Sequence, residues 1–245
     1  MVINYPIVNG STFTVFNSPE ESVYYAQCLY SLVFNRISGP SNIVEFGSGD
    51  GSPVVQAIMH SGFKGRVEGF ELNKSAAQKA VDNVKDNKLD DHYHINKGSF
   101  FDLVQFNKDD ILISDPPFLP SNHSNILDPL LWGGNDGSDI YLKLIGMGYE
   151  KAMLMVASYS NPLKILSEIR NQNYAIQDFM VAPMSMGIYS KEKPVWDKLN
   201  ELKNEGLAFH SNSHFLLAGV LIEKEPSRKD YCLINELGNV LTSLR

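Results

Sequence analysis

The sequence predicts an α/β fold in which a parallel sheet carries helices on both of its faces. Segments of strand and helix character alternate from residue 42 to residue 183. A glycine-rich turn directly follows the first of these strands, and the fourth strand runs directly into Asp115, Pro116 and Pro117. Because parallel strands need crossover connections, this alternation places the helices on the faces of the sheet.

The first half of the chain contains one helix and then four strands. The helix is predicted over residues 19–36, where Pro19 suits the first turn and the acidic Glu20 and Glu21 lie at the positive end of the helix dipole. The predicted strands cover residues 42–46, 66–72, 92–96 and 110–114, with helices over 53–62 and 75–87.

The second half continues this rhythm with one interruption. Helices are predicted over residues 137–150 and 161–173, and strands over 152–158, 174–183 and 214–225. Residues 184–213 insert a loop and a short helix between the last two strands, and the tail after Pro226 is only weakly patterned.

Composition limits the class of protein. The 245 residues are 43% hydrophobic, which is enough for one well-buried domain. A net charge of -7 without a long Lys/Arg run argues against a domain that grips nucleic acid through many phosphates. The two cysteines form no CxxC pair, so we expect neither a disulfide framework nor a metal site.

The same composition bears on location. The start of the chain lacks the pattern of a secretory signal, and no apolar stretch approaches the roughly 20 residues of a membrane span. We therefore expect a cytoplasmic protein that makes no membrane contact. The sequence leaves the oligomeric state open.

The segment VEFGSGDGS indicates a nucleoside-binding turn. Gly47, Gly49 and Gly51 follow the first strand and precede a helix, where glycine lets the backbone approach a ligand closely. Glu71 ends the second strand 20 residues after Gly51, the place of a carboxylate that accepts from ribose hydroxyls. This pattern fits a dinucleotide as well as S-adenosylmethionine.

The segment ILISDPPFLP is the second unusual feature. Two adjacent prolines fix their own backbone angles, remove two donors and keep Asp115 extended. The result is a stiff platform that holds one acceptor and the ring of Phe118 at the carboxyl end of a strand, where open α/β sheets bind ligands. The alternative is a strand end followed by a proline-rich turn.

Three segments carry a resemblance to a known family. VEFGSGDG resembles the first motif of class I S-adenosylmethionine-dependent methyltransferases, an acid two residues before a GxGxG turn. DPPF at 115–118 resembles the fourth-strand motif of the nitrogen-methylating branch, and residues 130–145 resemble the Gly-Gly-x-Asp-Gly-x-Asp segment of the HemK/PrmC protein-glutamine methyltransferases. The resemblance covers roughly residues 40–183 and implies a Rossmann-like, seven-stranded class I sheet.

The resemblance also implies roles for individual residues. It places S-adenosylmethionine against Glu45, Phe46, Gly47, Gly49, Gly51, Glu71, Ser99, Phe100 and Asp115. It places the acceptor nitrogen on the catalytic segment of Asp115, Pro116, Pro117 and Phe118, where the Asp115 carboxylate and the Pro116 carbonyl accept from N–H groups and the Phe118 ring stacks on the acceptor. The domain boundaries are then a helical segment at 1–40, a methyltransferase domain at 41–225 with a substrate-side insertion at 184–213, and a tail at 226–245.

Departures from the family motif affect the expected acceptor. The protein-glutamine enzymes carry Asn-Pro-Pro-Tyr, so Asp115 and Phe118 are both changed here. An ionised carboxylate only accepts, and it therefore favours a donor-rich nitrogen such as an NH₂ group or a protonated amine. We rank a small molecule or a protein side chain as acceptor above the exocyclic amine of an rRNA or DNA base. A nicotinamide-dependent oxidoreductase and a non-catalytic cofactor-binding relative are the alternatives.

Overall fold

A computed structural model describes residues 18–224 and 232–244 of the chain. These residues form one seven-stranded sheet with the strand order β3-β2-β1-β4-β5-β7-β6. The strands are β1 (Asn42–Phe46), β2 (Arg66–Glu71), β3 (Tyr93–Lys97), β4 (Ile111–Ser114), β5 (Lys151–Ala157), β6 (Tyr174–Ser185) and β7 (His214–Lys224). Strands β1 to β5 pair in parallel, whereas β7 runs antiparallel to both β5 and β6.

Helices cover both faces of this sheet. They are α1 (Pro19–Cys28), α2 (Ser52–Ser61), α3 (Lys74–Asp86), α4 (Phe100–Leu103), α5 (Asp139–Gly146), α6 (Pro162–Asn171), α7 (Ile188–Lys191), α8 (Lys193–Asn204) and α9 (Cys232–Leu241). Helix α1 packs on α2, while α5 and α9 both pack on α6. Over the described ranges, none of these helices has the length and apolar character that a membrane crossing requires.

The predicted alternation of strands and helices is confirmed, and the predicted α/β sheet with helices on both faces is the observed fold. The direction of β7 was not predicted. An apolar run such as HFLLAGVLIE indicates a buried strand, but its direction depends on the connection that leads into it. The insertion at 184–213 returns the chain to the sheet beside β6, where β7 pairs antiparallel with a bulge between Ile176 and Asp178.

The helix predicted over 19–36 is interrupted. It is α-helical to Cys28, widens into a π-helix over Leu29–Val33 and ends as a 3₁₀ turn over Phe34–Arg36. This helix lies close to the sheet because Gly219 on β7 has no side chain. A Cβ atom at that position would stand 2.6 Å from the Cys28 sulfur.

No element was predicted in the weakly patterned tail, but its second half forms a helix. Residues 232–241 form helix α9, which buries Ile234, Leu237 and Leu241 and contacts α6, β6 and β7. Its apolar positions recur at helical spacing, so the signal was present in the sequence. Residues 225–231 and the first 17 residues of the predicted N-terminal segment lie outside the described ranges.

Candidate active site

A cavity of about 450 Å³ opens at the carboxyl ends of β1, β2 and β4. Its wall includes the ends of these strands, represented by Phe46, Glu71 and Asp115. Helices α1 and α7 add to the rim through Glu21, Tyr25 and residues 187–190. Parallel α/β sheets bind ligands at this edge, and the volume is in the range of ligand pockets.

The glycine turn places its backbone on the wall of the cavity. The amide nitrogens of Gly47 and Ser48 both donate to the Phe70 carbonyl, at 3.0 and 3.1 Å. Gly49 lines the cavity with a φ of 57°. Gly51, with a φ of 75°, lies behind the wall, where a Cβ atom would stand 3.1 Å from the Ala80 Cβ. Gly51 therefore allows α2 and α3 to pack closely and does not itself face the cavity.

Glu71 lines the cavity and ties the glycine turn to the end of β2. Its Oε2 accepts from the Gly49 amide at 2.8 Å, and its Oε1 accepts from the Asn73 amide at 2.7 Å. Burial raises the pKa of this carboxyl, and the backbone donors oppose that rise. Each oxygen retains a lone pair, so the carboxylate can still accept from two hydroxyl groups of a ligand.

Glu45 lies beneath the turn and does not reach the wall of the cavity. Its carboxylate accepts from the Tyr93 hydroxyl and, at 3.4 Å, from the Tyr25 hydroxyl. Burial raises its pKa from 4.5 to about 7, against the effect of the Tyr93 hydrogen bond. Glu45, the acid of the first motif, therefore stabilises the packing beneath the turn through hydrogen bonds with Tyr93 and with Tyr25 of α1.

An aromatic cluster forms the side of the cavity beyond Glu71. Phe100 makes edge contacts with Phe46 and Phe70, with ring centroids 5.4 and 5.2 Å apart. Ser99 and Phe101 join these three rings in the wall. Ser99 and Phe100 thus lie where a flat heterocycle can rest against an apolar surface, beside the carboxylate of Glu71.

The segment 115–118 enters the cavity directly from β4. The Ser114 hydroxyl donates to the Phe46 carbonyl at 2.9 Å and fixes the end of this strand against β1. The Asp115 Oδ1 atom is shielded from water and has no hydrogen-bond partner in the described structure. Burial raises the pKa of Asp115 well above its usual range, and the charges of Glu21 and Glu45 add to this effect.

The Gly-Gly-x-Asp-Gly-x-Asp segment holds this loop in place. The Ser160 hydroxyl donates to the Phe118 carbonyl at 2.9 Å. Gly133 and Gly137 lie against the Phe118 backbone. A Cβ atom on Gly133 would stand 2.7 Å from the Phe118 Cα, and one on Gly137 would stand 2.5 Å from the Phe118 carbonyl oxygen. The Asp136 carboxylate accepts from the Asn161 side chain at 2.8 Å and so ties the segment to α6.

The sequence identified the acceptor side of the cavity only in part: it indicated the segment 115–118, the insertion and, after the fifth strand, Tyr159. Glu21 and Tyr25 lie one turn apart on α1 and both face the cavity, as do Tyr159 and Phe215 from the ends of β5 and β7. The spacing of Glu21 and Tyr25 indicated one helix face. Their approach to Asp115 depends on tertiary packing that no local pattern encodes.

The insertion contributes its first helix to the rim. Gly187, Ile188, Tyr189 and Ser190 line the cavity, whereas no α8 residue does so in the described structure. The Glu192 carboxylate accepts from the Leu127 amide at 2.9 and 2.8 Å. This contact joins the insertion to the loop that follows residue 118.

Comparison with known proteins shows the fold. No protein-family model and no curated protein matches the sequence. A protein from Pyrococcus horikoshii, described as a candidate RNA methyltransferase, has a TM-score of 0.53 at 14% identity, with 83% of each chain covered. TYW2 of M. jannaschii, solved in complex with AdoMet, has a TM-score of 0.50 at 14% identity over 86% of this chain and 79% of its own. The [4+2]-cyclase SpnF has a TM-score of 0.52 at 9% identity over 86% of this chain and 84% of its own.

The fold is therefore a Rossmann-like α/β fold of the type found in these methyltransferase structures. The seven strands are the number that the resemblance implied, whereas the antiparallel direction of β7 was not predicted. The presence of a cyclase among the similar structures means that this fold supports more than one chemistry. The fold alone therefore does not determine the reaction.

Proposed function

We propose that this protein is an S-adenosylmethionine-dependent methyltransferase that acts on a nitrogen of a small molecule or a protein side chain. One observation carries the proposal. The Asp115 carboxylate lies in the same cavity as Glu71 and the glycine turn, and its shielded Oδ1 has no partner. A buried acceptor without a partner is costly, so a ligand that brings a donor to Asp115 gains that interaction.

The residues present fit S-adenosylmethionine. Glu71 has lone pairs for two ribose hydroxyls, the backbone of Gly49 lies open to the ligand, and Phe100 offers an apolar surface to an adenine ring. When bound, the cofactor supplies an electrophilic methyl group on a sulfonium. The complex of M. jannaschii TYW2 with AdoMet supports this assignment, because a protein of the same fold binds the same molecule.

Asp115 and its loop then orient the acceptor. Pro116 and Pro117 keep the backbone rigid, so the carboxylate holds one position at the end of β4. Because its pKa is raised, the ionised Asp115 carboxylate is a stronger base for a proton of the incoming nitrogen than an exposed carboxylate would be. Phe118 closes the other side of the acceptor, and its carbonyl is fixed by Ser160. These residues bind, orient and deprotonate the acceptor, which are the contributions that a protein makes to methyl transfer.

The topology favours this assignment over a nicotinamide-dependent oxidoreductase. The dinucleotide fold has the strand order 3-2-1-4-5-6. Here an antiparallel strand stands between β5 and β6. A non-catalytic relative would need no rigid, unpartnered carboxylate beside its cofactor, so the state of Asp115 also argues for catalysis.

The exocyclic amine of an rRNA or DNA base is the second candidate acceptor. The description of the P. horikoshii protein as a candidate RNA methyltransferase favours it. Against it, the described cavity wall contains no Lys, Arg or His to hold phosphates. The HemK/PrmC branch remains a proposal that rests on the DPPF and Gly-Gly-x-Asp-Gly-x-Asp segments, and a cytoplasmic location is proposed with it.

A transfer assay with an Asp115→Ala variant tests this proposal. Labelled S-adenosylmethionine is incubated with small amines and with peptides that carry lysine or glutamine. Loss of the general base should lower transfer by about 100-fold or more. The variant should still bind S-adenosylhomocysteine, since Glu71 and the glycine turn are unchanged. Asp109→Ala, an exposed change just before the opposite end of β4, is the matched control and should keep full transfer. Full transfer in the Asp115→Ala variant would show that the assigned role is wrong.

A further inference from the structure

Two carboxylates from different elements face the acceptor half of the cavity. Glu21 reaches it from α1 and Asp115 from the end of β4. The Glu21 Oε1 atom accepts from the Ser18 hydroxyl at 2.9 Å, which orients the carboxylate and leaves its other lone pairs available. In the described structure neither carboxylate forms a salt bridge, and the described wall holds no basic side chain.

Aromatic rings form the wall beside these carboxylates. The centroids of Tyr159 and Phe215 are 4.6 Å apart, and that of Phe118 lies 5.7 Å from that of Tyr159. All three residues line the cavity. Aromatic faces attract a cation, and the attraction strengthens where water is excluded. This ring cluster and the two carboxylates therefore favour the same kind of ligand.

We infer that the acceptor is an aliphatic amine that enters the cavity as its cation, held by the Glu21 and Asp115 carboxylates against the rings of Phe118, Tyr159 and Phe215. This inference rests on the proposed function and narrows its acceptor. A glutamine amide or the exocyclic amine of a base carries no positive charge. Burial raises the pKa of Asp115 well above its usual range and that of Glu21 to about 7, so both acids gain from a counter-charge that keeps them ionised. A cation supplies that counter-charge and a neutral group does not.

The charges and protons of the reaction balance. The ammonium group gives one proton to the Asp115 carboxylate, and its nitrogen regains a lone pair. That lone pair forms the new C–N bond while the bond between the methyl carbon and sulfur breaks, and the bonding electrons stay on sulfur. The product is a methylated ammonium ion. Asp115 then releases its proton to solvent. Glu21 offsets the positive charge of the nitrogen before the proton is lost and again after the methyl group is added.

The test compares amines with neutral molecules of the same shape. Binding to the protein in complex with S-adenosylhomocysteine is measured by calorimetry for 2-phenylethylamine and phenylacetamide, and for butylamine and butanol. We expect each amine to bind more tightly than its neutral partner. Glu21→Gln should weaken amine binding by about 10-fold to 100-fold, the range for hydrogen bonds to charged groups, and leave the neutral molecules unaffected. Glu20→Gln, an exposed change at the neighbouring position of α1, should have no effect.

Three negative results have different meanings. If S-adenosylhomocysteine binds but no amine binds better than its neutral partner, the inference is overturned and the proposed function stands. If amine binding exceeds that of the neutral molecules equally in wild-type and Glu21→Gln proteins, the role of Glu21 is wrong. If S-adenosylhomocysteine itself does not bind, the proposed function fails, and this inference fails with it.

Discussion

The Gly49 amide donates to the Glu71 Oε2 atom across 2.8 Å, so the glycine turn and the acid of the second strand form one unit before any ligand binds. The Asn73 amide fixes the other oxygen of the same carboxylate at 2.7 Å. A carboxylate held by two backbone donors does not need to reorganise when it meets a ribose, and such preorganisation raises affinity.

Glu71→Gln is therefore expected to weaken cofactor binding. The glutamine side chain carries no charge. Its NH₂ group also replaces one carboxylate oxygen, and it cannot accept the hydrogen bond that the Gly49 or Asn73 amide donates. We expect the Kd for S-adenosylhomocysteine, measured by calorimetry, to rise at least about 10-fold. Glu68→Gln on the same strand lies outside the cavity wall and should change this Kd by less than about 2-fold. An unchanged Kd in Glu71→Gln would remove Glu71 from the cofactor site.

Glu45 should make the free energy of unfolding depend on pH. Folding raises its pKa from 4.5 to about 7 through burial, while Tyr25, Tyr93 and the charge of Glu71 surround it. Between these values the unfolded chain has released the proton that the folded protein still holds, so rising pH favours unfolding. This group should lower the free energy of unfolding by up to about 3 kcal/mol as the pH rises through this window.

Urea denaturation of the ligand-free protein at several pH values measures this dependence. Glu45→Gln removes one titrating group and should make the decline between about pH 5 and about pH 8 shallower, while Glu21 and Asp115, whose pKa values are also raised, keep part of it. Glu205→Gln, an exposed change after α8, should keep the wild-type slope. The same slope in the Glu45→Gln variant would contradict the assignment.

Gly219 should control the placement of α1 over the cavity. An alanine there brings its Cβ to 2.6 Å from the Cys28 sulfur, and α1 must move to relieve this contact. We expect Gly219→Ala to lower the free energy of unfolding by about 1–3 kcal/mol. It should also weaken amine binding more than it weakens S-adenosylhomocysteine binding, because Glu21 lies on the displaced helix.

The control is Gly146→Ala at the end of α5. A Cβ atom at that position meets nothing within 4 Å. Alanine in a compatible helical position stabilises by up to about 1 kcal/mol. Equal effects of the two substitutions on unfolding would show that α1 does not depend on Gly219.

Ser160 is expected to hold the segment 115–118 in place through the Phe118 carbonyl. Ser160→Ala leaves this buried carbonyl without its donor at 2.9 Å, at a cost of about 1–3 kcal/mol. Displacement of Phe118 should lower kcat more than it changes the Kd of the cofactor. Ser167→Ala, an exposed change on α6, is the control. A wild-type kcat in Ser160→Ala would mean that the glycines at 133 and 137 position the loop without it.

The sequence predicted the parts of the site that local chemistry encodes. Glycine spacing, an acid at the end of a strand and two adjacent prolines are local patterns, and Gly49, Glu71 and Asp115 all line the cavity. Glu21 was predicted only as an acid in the first turn of a helix. It reaches the cavity because Gly219, almost 200 residues away in the sequence, has no side chain and lets α1 pack close to the sheet.

The direction of β7 and the position of α7 at the cavity rim could not be predicted from the sequence either. The antiparallel course of β7 follows from the return of the 184–213 insertion, and α7 of this insertion reaches the rim through contacts distant in the chain. Periodicity reports which face of an element is buried, and it does not report what the element packs against. The positions of Glu21 and Tyr25 in the cavity wall therefore emerged only from the folded structure.

The most direct test of the central claim is a thermal-shift titration of the purified protein with S-adenosylmethionine, S-adenosylhomocysteine, NAD and NADP. A ligand that binds only the folded state raises the Tm as its concentration increases. We expect the two adenosyl-sulfur compounds to raise the Tm and the two nicotinamide cofactors to leave it unchanged. A rise in Tm with NAD or NADP alone would contradict the methyltransferase assignment and leave DPPF as a rigid turn.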